Sequence, residues 1–365
     1  MRLKKLFFLV LCGTCLQLGA QDFHNSYWQF APTIVNPALT GAFYGNLRVN
    51  VIGRDQGRPV AGSGNEFQDL SLTVDYNIDF GLTEGDWVAL GASISRSQTP
   101  GVADFRRQFT GLIGAYHLAY GKRKDKVFTI GAKYGPYTTS FNNNNLFADA
   151  TDTWGILNPG GDQSADLQQL QGAINAGQDQ NQTEKSNNDF GVGLMLTTPM
   201  GKKSDLRIGI ALDRVLNPRS TRSAGDTTST GAIPNAQRFG RRINGFLSYY
   251  NSINSKLVFN PNFVVQTLNG STNILVQSLF KYLINPEKEM TMTFGAGVRL
   301  VNSTDIPLYL GVDVNSWKVG VSYDANIGGL RPSSNTFGAL EIGISKVFNW
   351  KKDPVVEPKF ICPRL

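Results

Sequence analysis

The sequence predicts an all-β fold: a transmembrane barrel of 14 antiparallel strands, with short turns at one end and longer loops at the other. Three observations lead to this prediction: segments of alternating apolar and polar side chains, an export signal at the start of the chain, and connections that alternate in length. Strict alternation gives a strand one apolar and one polar face, as in Met290 to Leu300. The export signal makes lipid, rather than a soluble core, the expected partner of the apolar face.

The first 20 residues are typical of a secretory signal peptide, because basic residues precede the apolar run Leu6 to Leu11 and the small pair Gly19-Ala20 ends the segment. No later stretch reaches the roughly 18 consecutive apolar residues of a transmembrane helix. Of the 3 cysteines only Cys362 lies beyond this segment, so no internal disulfide is expected. The formal charge of +7 falls to about +4 without the signal peptide and is spread along the chain, which does not indicate a nucleic-acid surface.

A non-periodic lead, predicted to be periplasmic, occupies residues 21–45, and the barrel follows over 46–350. Each predicted strand has roughly the 9–11 residues of a tilted membrane strand, or a few more. The predicted strands are 46–54, 67–78, 86–98, 108–121, 126–135, 188–198, 205–214, 238–250, 256–268, 272–283, 290–301, 306–314, 316–325 and 337–348. The tail, 351–365, is too rich in proline to continue as a strand.

The connections divide into two classes that alternate along the chain. Five links are short, whereas the opposite set includes the long polar segments 136–187 and 215–237. Outer-membrane barrels have short periplasmic turns and longer extracellular loops, so this asymmetry favours a barrel over a soluble sandwich. An even strand count then places both chain ends in the periplasm. Within the first long segment, residues 164–177 have helical spacing and predict either a surface cap or an element that enters the lumen.

The polar face of the predicted strands carries charges of both signs, which suit either a cross-strand ion-pair network or a conduction or ligand pathway. These are Arg48, Arg54, Asp75, Lys133, Arg207, Asp213, Lys281, Arg299, Asp313, Lys318, Asp324 and Glu341. Beyond the signal peptide there are 2 histidines, and His117 is expected to be a hydrogen-bonded lumen group rather than a catalytic one. Gly201-Lys202-Lys203-Ser204 lacks the rest of a phosphate-binding loop. We therefore expect no enzyme, no cofactor and no metal site.

Three stretches resemble a known family. The lead runs through Tyr27-Trp-Gln-Phe-Ala-Pro to Asn-Pro-Ala-Leu-Thr-Gly41, a late segment spans Ser322 to Asn335 with Gly338 beyond it, and the chain ends in Cys-Pro-Arg-Leu. These stretches resemble the PorP/SprF family. The matching positions, which we expect to shape the barrel, are Asn36, Pro37, Gly41, Arg331, Pro332, Asn335, Glu341, Cys362, Pro363 and Arg364.

The resemblance implies an outer-membrane barrel of the type IX secretion system of the Bacteroidota, one that supports secretion or cell-surface attachment of large proteins such as gliding adhesins. It implies periplasmic ring components and a large client as partners, and no catalytic residues. The tail is expected either to contact the secretion apparatus through Lys351, Lys352, Lys359 and Arg364 or to be a disordered end. From the residues alone, a passive porin, a hydrophobic-substrate transporter and a surface-binding barrel that uses loop 136–187 remain open.

Overall fold

The computed structural model describes residues 24–57, 67–78, 82–83, 85–99, 105–141, 183–216, 240–268, 271–300, 304–328 and 336–350. Within these ranges 14 strands form a closed barrel in sequence order, and β1 pairs with β14 to complete the ring. The strands are β1 (Leu47–Gln56), β2 (Phe67–Ile78), β3 (Trp87–Thr99), β4 (Phe105–Tyr120), β5 (Lys126–Phe141), β6 (Thr183–Pro199), β7 (Ser204–Asp213), β8 (Arg242–Ser252), β9 (Leu257–Leu268), β10 (Ser271–Asn285), β11 (Met290–Leu300), β12 (Asp305–Val314), β13 (Trp317–Asn326) and β14 (Phe337–Phe348). The predicted antiparallel barrel is confirmed.

The wall is apolar outside and polar inside. Large apolar side chains such as Leu308 and Ile342 are about half exposed on the outer face, whereas Arg299, Asp324 and Glu341 of neighbouring strands are buried inside. This distribution is the reverse of a soluble barrel and suits a lipid-facing surface. Among the described residues, none of the helices has the length and apolarity needed to cross a membrane.

The two ends of the barrel differ in their connections. The links 121–125, 200–203, 253–256, 286–289 and 315–316 lie at what we call the short-turn end. The opposite end, called the long-loop end, has the links 142–182 and 214–241, together with shorter ones such as 269–270.

The first long insertion is shorter than the predicted 136–187, because β5 and β6 extend beyond their predicted ends. Pro136 pairs with Asn188, and the paired strands continue toward the long-loop end. Tyr137 and Thr139 keep the inward parity of β5 and are buried. Proline removes one backbone donor but does not end a strand whose side chains still alternate correctly. The predicted helix at 164–177 lies outside the described residues.

Residues 24–46, which we call the plug, lie inside the barrel rather than outside it as the sequence led us to expect. The plug contains a 3-10 turn at Trp28–Phe30, one α-helical turn at Pro32–Val35 and a second 3-10 turn at Pro37–Leu39. Trp28, Phe30 and Leu39 are at most 2% exposed. Since the plug consists of single turns, its apolar residues follow neither a strand period nor a long helical period, so sequence periodicity does not reveal its location.

The plug runs along the length of the lumen. Its first residues contact Asp324 and Glu341 near the long-loop end of β13 and β14, and its last residue, Asn46, precedes β1 at the short-turn end. There the backbone N–H of Asn46 donates to the Phe348 carbonyl at 3.0 Å. The backbone N–H of Trp350 donates to the Asn46 side chain at 3.1 Å. The described chain therefore starts at the long-loop end and finishes at the short-turn end.

Candidate functional site

The candidate site is the interface between the plug and the inner wall, and its long-loop end is an ionic cluster around Ser26. The backbone N–H groups of Ser26 and Tyr27 each donate to one carboxylate oxygen of Glu341, both at 2.7 Å. The Ser26 hydroxyl donates to the Asp324 carboxylate at 2.7 Å. Successive N–H groups on one carboxylate form a charge-assisted contact that is stronger than a neutral hydrogen bond.

Two arginines complete this cluster from the wall. Arg54 donates to Asp324 at 2.9 Å and also contacts Glu341, whereas Arg299 donates to Asp324 at 2.9 Å and contacts Ser26. Arg54 is 4% exposed and Glu341 is 1% exposed, so these charges are removed from water. Buried charges are tolerated only when they are paired and hydrogen-bonded, and here the plug supplies part of that pairing.

Gln277 of β10 contacts the plug beside the ionic cluster. Its side-chain oxygen accepts from the Trp28 indole at 2.9 Å, and its nitrogen donates to the Ser26 carbonyl at 2.8 Å. Gln277 is fully buried. Because it satisfies an indole N–H and a carbonyl that the plug would otherwise bury without partners, it fixes the orientation of the first 3-10 turn.

Asn36 joins the middle of the plug to β6 and β7. Its side-chain nitrogen donates to the carbonyls of Leu194 and Ile210, each at 3.1 Å, while its oxygen accepts from the Ala38 N–H at 2.8 Å. This approach is possible because the facing wall residues are glycines. A Cβ atom on Gly193 would lie 2.0 Å from the Asn36 side-chain oxygen, and one on Gly209 would lie 2.8 Å from its nitrogen.

Replacing Asn36 with alanine is expected to weaken seating of the plug by about 1–3 kcal/mol, because it leaves the buried Ala38 N–H without its acceptor. The measurement is the heating midpoint at which the detergent-solubilised barrel loses its folded gel mobility. Asn188→Ala, at an exposed position of β6, is the control and should change stability by less than about 0.5 kcal/mol. Equal midpoints for the two variants would contradict the role of Asn36.

At the short-turn end the plug is held by Gly41 and Thr40. Gly41 has a φ of +73°, and a Cβ there would lie 2.2 Å from Ala89. Its N–H donates to Asp75 at 2.7 Å, and its carbonyl accepts from the Trp87 indole at 3.2 Å. His117 of β4 is fully buried, and its Nε2 lies 2.8 Å from the Thr40 carbonyl. The imidazole therefore belongs to the interface.

Most of the inward charges form pairs. Beyond the Ser26 cluster, Arg48 pairs with Asp75 at 2.7 Å, Lys133 with Asp213 at 2.7 Å, and Lys318 with Asp313 at 4.0 Å. Arg207 and Lys281 lie over the ring of Tyr250. The sequence analysis did not identify five interface residues: Ser26 of the plug, and Asp189, Arg242, Gln277 and Asp305 of the wall. The four wall residues occupy inward-facing positions of their strands, so the alternation of each strand could have identified them.

The family-like positions divide between described and undescribed parts of the chain. Asn36, Pro37 and Gly41 lie in the plug and Glu341 lies against it, so the structure brings these four into one interface. The other positions predicted as motif or partner contacts lie outside the described residues: Arg331, Pro332, Asn335, Lys351, Lys352, Lys359, Cys362, Pro363 and Arg364. In the described ranges, no group of three or more His, Cys, Asp or Glu could hold a metal ion.

The family described as type IX secretion system membrane protein PorP/SprF matches residues 17–345. The sequence matches no curated protein. Among solved structures, the chain is similar to the toluene transporter TbuX of Ralstonia pickettii, with 13% identity over 87% of this chain and 94% of that chain and a TM-score of 0.47. It is also similar to a FadL homologue of Pseudomonas aeruginosa, with 11% identity over 86% and 93% of the two chains and a TM-score of 0.47.

Proposed function

Because the chain belongs to the PorP/SprF family of type IX secretion system membrane proteins, we propose that it supports secretion or surface attachment of a large client as a closed docking barrel of the outer membrane. A gliding adhesin is a client of the expected kind. The single observation that carries the docking role is the plug, which runs along the length of the lumen and contacts the inner wall at both ends. A barrel whose interior is occupied by its own chain acts through its surfaces.

The alternative functions, a passive porin or a hydrophobic-substrate transporter, need a path through the barrel. The plug contacts inward-facing groups of β1, β4, β6, β7, β10, β13 and β14 and is held by paired charges. Removing it from the lumen means breaking several buried hydrogen bonds, each of which stabilises by about 0.5–1.5 kcal/mol net. We therefore expect low conductance from the native barrel.

The partners proposed are the periplasmic ring components of the secretion system and one large client. With short turns on the periplasmic side, β14 ends at the periplasmic end of the barrel, and we propose that the tail residues Lys351, Lys352, Lys359 and Arg364 pair with acidic groups of that ring. The long-loop end would face the cell exterior, where the client is displayed.

The test is affinity purification of the tagged, full-length protein from gently solubilised outer membranes, followed by mass spectrometry. Recovery of ring components or of one large surface protein is the expected result. The control is an unrelated tagged outer-membrane barrel expressed at the same level. Recovery of the folded, abundant barrel alone would contradict the docking role and favour the transporter.

Deleting residues 353–365 is expected to reduce recovery of periplasmic partners and secretion of the client without lowering the amount of folded barrel. The tail follows the last described strand, so its loss leaves the ring of strands and the Asn46 contacts in place. The matched control deletes only residues 361–365, which removes Arg364 but retains Lys359, whereas Lys351 and Lys352 remain in both variants. Unchanged secretion after the longer deletion would exclude residues 353–365 as a partner contact.

A further inference from the structure

The rim of the barrel has a step at the long-loop end, between β6 and β7. β6 pairs with β5 as far as Thr183. On its other side, β6 pairs with β7 only as far as Val192, which lies opposite Leu212. One further backbone hydrogen bond joins the Val215 N–H to the Phe190 carbonyl at 2.9 Å. The part of β6 that precedes Phe190 therefore extends beyond the end of β7.

The step exists because β7 and β8 both stop at its foot. Arg214, directly after β7, is buried inside the barrel and has a φ of +59°, a left-handed conformation that an extended strand does not contain. β8 begins at Arg242, opposite Asp213, so it ends at the same level. At the seam, by contrast, β1 stays paired with β14 to its last residue, Gln56. The step corresponds to residues 183–190, about 26 Å of extended chain.

Strand geometry identifies the backbone groups that face the step. The N–H and C=O of one strand residue point toward the same neighbouring strand, and those of the next residue point toward the opposite one. Since the Phe190 carbonyl points toward β7, the backbone groups of Asn188, Ser186 and Glu184 point toward the step, and those of the residues between them point toward β5. Among the strands that the structure describes, none pairs with β6 on this side before Val192.

The step lies beyond the apolar belt of the outer wall. Leu194 and Val192, at outward-facing positions of β6, are 43% and 37% exposed. The later outward positions, Asn188 and Ser186, are polar and exposed. A strand edge without a partner is not tolerated in the hydrocarbon region, but it can exist in the water above it. The β6 edge is therefore placed where a partner from the aqueous side can reach it.

An exposed strand edge recognises one kind of partner, an extended polypeptide segment. In such strand addition the main-chain hydrogen bonds give affinity, and the side chains that flank the edge give specificity. The flanking side chains here are polar on both faces, with Ser186 and Asn188 outside and Asn187 and Asp189 inside. Polar side chains disfavour edge-to-edge aggregation and suit a polar partner strand. The step is long enough for one strand of usual length, about five or six residues.

We propose that the β6 edge, from Glu184 to Asn188, is the site where an extended polar segment of the client adds to the barrel as a further strand. This inference rests on the proposed function, because it names how the client is held at the long-loop end. Main-chain hydrogen bonds hold the segment whatever its exact sequence, so one edge can accept clients that share only an extended, polar segment.

The first test is residue-resolved amide hydrogen exchange of the purified full-length barrel. Ser186 and Asn188 should exchange at least about tenfold faster than Asn187 and Asp189, because the N–H groups of the first pair point toward the step and those of the second pair point toward β5. Equal protection of the two pairs would show that the edge is already covered, by the chain's own loop or by a second copy, and would overturn the proposal.

The second test compares two substitutions at Ser186 in cells. Ser186→Pro removes the N–H that points toward the step and leaves pairing with β5 in place, whereas Ser186→Ala keeps this N–H and removes only the hydroxyl. Affinity purification should recover about tenfold less client from the proline variant, and wild-type amounts from the alanine variant, with ring components unchanged in both. Equal recovery of the client from the two variants, whether normal or reduced, would overturn the proposal.

Folded gel mobility is the control for barrel assembly, and it should match the wild type in both variants because position 186 is exposed. Asn188→Pro and Asn188→Ala repeat the comparison at the next residue whose N–H points toward the step. Failure to recover either client or ring components from the wild type would contradict the proposed docking function instead. Amide exchange would then still decide whether the edge is open.

Discussion

Replacing Gly131 with valine is expected to displace the plug and convert a closed barrel into a conducting one. A Cβ at this position of β5 would lie 2.4 Å from the Ala38 nitrogen and 2.4 Å from the Pro37 carbonyl carbon. Both are backbone atoms of the plug, so no side-chain rotation relieves the overlap, and overpacking of this kind costs about 1–3 kcal/mol or more. The measurement is single-channel conductance in planar bilayers, with protease sensitivity of the plug as a second readout.

Gly114→Val provides the matched control for this experiment. Gly114 lies on the neighbouring strand β4, and the closest atoms to a Cβ there are at 3.7 and 3.9 Å, which is ordinary van der Waals contact. We expect this variant to remain as closed as the wild type. A folded Gly131→Val barrel that conducts no more than the wild type, and whose plug is equally resistant to protease, would contradict this prediction. The wall would then be more deformable than the contacts suggest, and the plug would not be held by steric fit.

Replacing Glu341 with glutamine is expected to lower the free energy of unfolding by about 3–5 kcal/mol, the usual cost of removing one partner from a buried ion pair. Glu341 accepts from the Ser26 and Tyr27 backbones, from Ser322 at 3.1 Å, and from Arg54. A glutamine amide presents two donors where every neighbour is itself a donor, and Arg54 keeps its charge. Denaturant unfolding followed by tryptophan fluorescence measures the change.

The control for the cluster is Glu287→Gln, at an exposed position in the turn between β10 and β11, which should change stability by less than about 0.5 kcal/mol. The double variant Arg54→Met with Glu341→Gln should lose less stability than the two single changes added together, because the partners interact directly. Strict additivity would show that the two side chains contribute independently and would contradict a shared cluster.

The strands could be predicted from the sequence because alternation is local. The predicted limits of β2 and β14 coincide with the observed strands Phe67–Ile78 and Phe337–Phe348. The prediction ended β5 too early and began β6 too late, because residues 136–141 and 183–187 were interpreted as parts of the long polar loop. In the barrel, pairing with the neighbouring strand continues through these residues.

The plug could not be predicted in the same way, since its partners are far away in sequence. Trp28 donates to Gln277, 249 residues later. Gly193 and Gly209 leave the space that Asn36 of the plug occupies, but nothing in the local sequence specifies what fills that space. Arg214 was missed for another reason: the predicted β7 ran to 214, and strand parity would point this residue outward, whereas its left-handed backbone turns it inward.

The path of the plug has a consequence for the order of assembly. Ser26 contacts Glu341 across 315 residues of sequence, and the ring is completed when the first strand joins the last. The plug is synthesised first, but it can contact Glu341 only after β14 has been synthesised. The plug must already lie within the curving sheet when β1 pairs with β14. Contacts of such long range are formed slowly. Any leader still attached to an inner membrane would tether this segment, so its removal is expected to precede closure of the seam.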